Sequence, residues 1–78
     1  MENESIKISI HKIIELISEI LNEDNINELT TMENCSNWDS LSHATIVAII
    51  SDKFKVEITP ELFSSLISIK EIYNFLNK

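Results

Sequence analysis

The residues best suited to chemistry fall in one short stretch: Cys35, Trp38, Asp39, Ser40 and His43. Ser40 and His43 are three residues apart, which brings them to one face of a helix, and Asp39 could orient the histidine as in a hydrolytic triad. Three physical objections stand against a hydrolase. Asp39 is the natural cap of the helix that follows, a chain without glycine offers no glycine-rich elbow or oxyanion hole, and 78 residues are too few to enclose a substrate. His43 shares a stripe with Val47, Ile50 and Phe54, so it reads as a partly buried histidine packed beneath the preceding loop and against Trp38. Metal binding has no better footing: Cys35, His11 and His43 lack ligand spacing, and the carboxylates form no calcium-loop pattern. Cys35 reads as a small apolar anchor, His11 as a surface residue, and Trp38 as either a partner contact or a loop anchor. Ser40 can do something simpler than catalysis. As the first residue of a helix its hydroxyl stands exposed beside unpaired backbone amides, where an attached phosphodiester is favoured; its plainer role is that of a good helix-start residue.

The elements that must hold this stretch follow from apolar spacing. Ile6, Ile10, Ile13, Ile14, Ile17, Ile20 and Leu21 recur at offsets of three and four, with Lys7, Lys12, Glu15 and Glu19 off the stripe, which predicts an amphipathic helix over residues 6–21. Residues 22–39 are rich in Asn, Glu, Thr and Ser and read as a long loop pinned to the core by Ile26, Leu29, Met32, Cys35 and Trp38. So long a loop in so small a chain points to function. The second helix is capped by Asp39 and runs to about residue 54. Thr59-Pro60-Glu61 opens a short third helix carrying Leu62, Phe63, Leu66 and Ile67. Ser68-Ile69-Lys70-Glu71 has the form of a capping box, with Ser68 as cap, Glu71 reaching back, and Ile69, Ile72, Tyr73 and Leu76 at helical spacing behind it. The expected fold is all-α: a small four-helix bundle with a long first loop, one domain over residues 1–78 and no strand.

Composition narrows the function classes. Thirteen Asp and Glu against six Lys and Arg give a formal net charge of −7, which disfavours nucleic acid and favours protein partners with basic patches. The charge is uneven, since no Lys or Arg lies between Lys12 and Lys53, whereas Glu15, Glu19, Glu23, Asp24, Glu28, Glu33 and Asp39 do. No apolar run approaches a membrane span and the acidic start is unlike a signal peptide, so a cytoplasmic monomer away from membranes is expected. A single cysteine, unable to form an internal disulfide, agrees with a reducing compartment.

Asp39-Ser40-Leu41, standing after an amphipathic helix and a long loop, resembles the attachment motif of the acyl carrier protein family. Ile46, Val47, Ile50, Phe54, Val56 and Ile58 resemble that family's second helix and exit loop, and Leu66, Ile69, Tyr73 and Leu76 its third and fourth helices. The resemblance implies a four-helix carrier and not a catalyst. It implies that a phosphopantetheinyl transferase esterifies Ser40 with 4'-phosphopantetheine from coenzyme A, with Asp39 and Leu41 completing the motif. Acyl groups would then ride as thioesters, with Ile46, Val47, Ile50, Ile58, Leu66 and Ile69 as an acyl pocket worth roughly 0.8 kcal/mol per buried methylene. Acyl-transferring or acyl-modifying enzymes with basic docking patches would meet Trp38, Asp39, Leu41, Ala44, Ala48, Asp52 and Glu57.

The chain also departs from the family. The residue two before the serine is often glycine in family members, and here it is Trp38. From Ser40 to Ser51 there is no charged residue, although acids are usual on that helix, and Thr45 and Ser51 stand in their place. A specialised carrier, serving fatty-acid-like, surface-polysaccharide or secondary-metabolite synthesis, is the expectation. An aminoacyl or peptidyl carrier, which typically has a glycine pair before its serine, and an unmodified helical adaptor are the alternatives.

Overall fold

In the computed structural model, which describes residues 8–77, four helices follow one another: α1 (Ile10–Leu21), α2 (Ser40–Phe54), α3 (Pro60–Ser65) and α4 (Ile69–Leu76). This is the all-α four-helix bundle expected from the spacing. Each helix starts where a short polar side chain accepts an orphan first-turn amide. Ser9 Oγ takes the Lys12 N–H at 3.2 Å, so α1 begins at Ile10 rather than at Ile6, which lies outside the described residues. Asp39 Oδ1 takes the Ser42 N–H at 2.9 Å, Thr59 Oγ1 the Leu62 N–H at 3.2 Å ahead of Pro60, and Ser68 Oγ the Glu71 N–H at 3.1 Å. Glu71 departs from the expected box in one detail: its carboxylate accepts from the Ser68 hydroxyl at 3.1 Å.

Helices α1 and α2 end on residues in the left-handed region, Asn22 (φ 54°) and Lys55 (φ 55°). That position favours glycine, and the chain has none. Asparagine tolerates the conformation, whereas lysine bears a steric cost of about 1 kcal/mol. Lys55→Gly is therefore expected to raise the melting temperature by roughly 4–8 °C per kcal/mol recovered, read by thermal circular dichroism.

The core joins Ile13, Ile17 and Leu21 of α1, Ile46 and Ile50 of α2, Leu66, and Ile69 and Ile72 of α4 to Ile26 and Trp38 of the loop. Met32 and Cys35 pack partly against it. Leu29 does not pin the loop as its type suggested, being 67% exposed. The cause is local. Asn27 Oδ1 accepts the Leu29 N–H at 2.8 Å while Thr30 Oγ1 accepts the Asn27 N–H at 2.9 Å, a turn in which Leu29 lies outside and Thr30 is buried. The loop is also sewn to the α3–α4 junction, where the Met32 N–H donates to the Ile67 carbonyl at 2.8 Å and the Ile69 N–H to the Thr30 carbonyl at 3.0 Å. These bonds frame an isolated antiparallel bridge between Thr31 and Ser68. At the other end of α1, the Asn77 side chain accepts the Ile8 N–H at 2.8 Å and donates to the Ile8 carbonyl at 2.9 Å. Among the described residues no helix is long and apolar enough to cross a membrane.

Candidate functional site

Ser40 is the first residue of α2 and is exposed. The cap leaves its surroundings open: the Ser42 N–H is taken by the Asp39 carboxylate and the His43 N–H by the Asp39 carbonyl at 2.8 Å. The amides of Ser40 and Leu41 precede the first intrahelical carbonyl and have no partner along the helix. Hydrogen bonds from the Ser42 backbone N–H and then the Ser42 hydroxyl hold the Asp39 carboxyl below its usual range, which keeps it ionised at neutral pH beside the positive end of α2. Leu41, the next residue, projects into solvent at 80% exposure.

His43, one turn further on, faces inward. Its ring is 3% exposed and both nitrogens are committed: Trp38 Nε1–H donates to Nδ1 at 3.1 Å, and Nε2 lies 2.7 Å from the Phe63 carbonyl oxygen. An indole nitrogen can only donate, so Nδ1 accepts, and the proton assigned by this network sits on Nε2 and is donated to Phe63. The hydrolase arrangement therefore fails on geometry, because Asp39 bonds Ser42 while the imidazole bonds Trp38 and Phe63.

Trp38 was offered by its type as a docking residue or as an anchor. It is 1% exposed, one of the largest fully buried side chains, and so presents no surface to a partner. Its backbone N–H donates to the Cys35 carbonyl at 3.0 Å, a turn in which the indole comes to lie under the loop. Leu41, Ala44 and Ala48 are exposed on α2, and Asp39, Asp52 and Glu57 are exposed around it. The exposed part of α2 up to Ala48 is thus uncharged, with Leu41 its one large apolar side chain. Acids lie instead on the neighbouring edge, where Glu15, Glu19, Glu23 and Asp24 line one open groove with Ile14 and Ile26. Of the six aliphatics, Ile46, Val47, Ile50, Leu66 and Ile69 are buried and Ile58 is half-buried. His11 is exposed. The Phe63 carbonyl is the participant that the sequence left unmarked, since a backbone acceptor has no residue type to announce it.

A small helical bundle that exposes a serine at a capped helix start has the form of a carrier domain. The chain matches the family described as the phosphopantetheine attachment site over residues 11–76, and it belongs to that family. No curated protein matches it. Domains of this family carry 4'-phosphopantetheine covalently and are not catalytic, and this chain is a phosphopantetheine carrier of that kind. The residues fit such a group, because Ser40 offers an accessible hydroxyl at the positive end of a helix.

Proposed function

We propose that Ser40 is the residue esterified by 4'-phosphopantetheine and that the chain carries acyl intermediates to the enzymes of a dedicated biosynthetic route, of fatty-acid-like, surface-polysaccharide or secondary-metabolite type. The observation that carries this is the exposed Ser40 hydroxyl at the capped start of α2, within a chain of the phosphopantetheine family. In the modification the Ser40 oxygen bonds to phosphorus, the pyrophosphate link of coenzyme A breaks, its adenosine bisphosphate half departs, and the serine proton passes to a base on the transferase. The attached arm supplies a terminal thiol that holds an acyl group as a thioester.

The chain's own residues then provide the docking surface. Asp39, Asp52 and Glu57 offer isolated negative charges around α2, and the Glu15, Glu19, Glu23 and Asp24 edge offers a concentrated one. A partner's basic patch would meet that edge while a small apolar contact receives Leu41, Ala44 and Ala48. A cytoplasmic monomer suits the single unpaired Cys35 and the charge of −7. The test is incubation with coenzyme A and a broad-specificity phosphopantetheinyl transferase followed by intact-mass spectrometry. A gain of one arm is expected. An unchanged mass with several transferases would replace the carrier reading with that of an unmodified adaptor.

A further inference from the structure

The direct way from Ser40 to the aliphatic interior between α2 and α3 runs past the first turn of α2. On the buried side of that helix the order inward from Ser40 is His43, then Ile46 and Val47, then Ile50. The first residue on the way in is therefore an imidazole, and its two hydrogen bonds run outward to the loop at Trp38 and across to α3 at Phe63. The bond to Phe63 fastens the seam between α2 and α3 at the end where Ser40 stands, and the bond from Trp38 holds the imidazole in the orientation that makes it. Packing reinforces the closure, with the Phe63 ring edge-on to the imidazole at 4.6 Å and 67°, and the indole centroid 6.2 Å away on the Trp38 side. Parting the seam would strand the imidazole Nε2–H and the Phe63 carbonyl, neither of which an alkyl chain can satisfy. Behind it Ile46, Ile50 and Ile69 are fully buried.

We infer that Trp38, His43 and the Phe63 carbonyl form a clasp that bars acyl chains from the interior, so that the cargo of this carrier is a short or polar acyl unit held on its arm in solvent. This rests on the carrier reading above, and it leaves Ile46, Val47, Ile50, Ile58, Leu66 and Ile69 as core rather than as a pocket. A long alkyl chain kept outside would stay wetted along its length, unfavourably in proportion to its methylenes. A short hydroxylated or amino-bearing unit loses nothing by exclusion.

The test loads the protein with acetyl, octanoyl and myristoyl arms from the corresponding coenzyme A thioesters, then reads intact mass, melting temperature and isoleucine methyl resonances. Melting temperatures within about 2 °C of one another, with Ile46, Ile50 and Ile69 methyls unmoved, are expected. Melting that climbs with chain length, or shifts at those methyls, would overturn the clasp. So would shifts at Leu62, Leu66 and Phe75, which would put the chain in the open groove between α3 and α4. In His43→Ala, and in Trp38→Phe, which keeps most of the packing and removes the indole N–H, a rise in melting temperature with chain length should appear. Its absence from both folded variants would overturn the assignment. Mass is read first, so a missing gain is recognised as failure of the carrier reading, which takes the clasp down with it.

Discussion

Ser40→Ala is expected to abolish the mass gain from coenzyme A completely while leaving the fold intact. The loss is total because the ester needs an oxygen at that atom and a methyl group has none. Other hydroxyls do not substitute. Ser42 sits in the first turn and is only half-exposed, and Ser36 lies in the loop, off the helix start. The fold survives because Ser40 is exposed and the cap is made by Asp39, so the change should alter stability by no more than about 0.5 kcal/mol. Intact mass and thermal unfolding measured on one sample check both halves. A residual gain of one arm in the variant would move the attachment to another residue.

Trp38→Ala is expected to have the opposite profile, a large loss of stability at a residue that touches no cargo. Truncating a fully buried tryptophan costs about 3–5 kcal/mol, and here it also removes the donor to His43 Nδ1. Chains of this size have total stabilities of about 4–12 kcal/mol, by the usual value per residue. The variant should therefore lose a quarter or more of its stability, with a clear fall in the urea midpoint followed by circular dichroism. Trp38→Phe keeps most of the packing and leaves the imidazole nitrogen without its donor, so it should lie between, at about 1–3 kcal/mol. A Trp38→Ala midpoint equal to wild type would mean that the loop does not depend on its tryptophan.

What was legible in the sequence depended on how local its cause was. The caps at Asp39, Thr59 and Ser68 were readable because a side chain bonding an amide three residues on is written in a tetrapeptide. The helices were readable because their buried faces repeat at helical spacing, Ile13-Ile17-Leu21 in α1 and His43-Ile46-Val47-Ile50 in α2. The inward face of His43 was readable for the same reason, whereas Trp38 stood open between docking residue and anchor, because its type suits both and it lies outside the helical repeat. The second bond of His43 was not readable, because the acceptor is a carbonyl twenty residues away. The loop misled at Leu29, where apolar type suggested burial and an Asn27–Thr30 turn reversed it. Ser40 was legible as an exposed helix-start residue, but only its setting in the whole chain distinguished a carrier from any other capped helix.

The clasp of Asn77 on Ile8 closes a loop of nearly the whole described chain with two hydrogen bonds from one amide. In polymer terms the described stretch, residues 8–77, is almost a ring, closed at the start of α1. The bond from Asn37 to Glu23 at 2.9 Å puts the far end of α1 beside the segment leading into Ser40. The Ile8–Asn77 junction is thus separated from the Ser40 end of the bundle by about the 18 Å length of a twelve-residue helix. An arm on Ser40, as proposed, would swing at the pole opposite that junction.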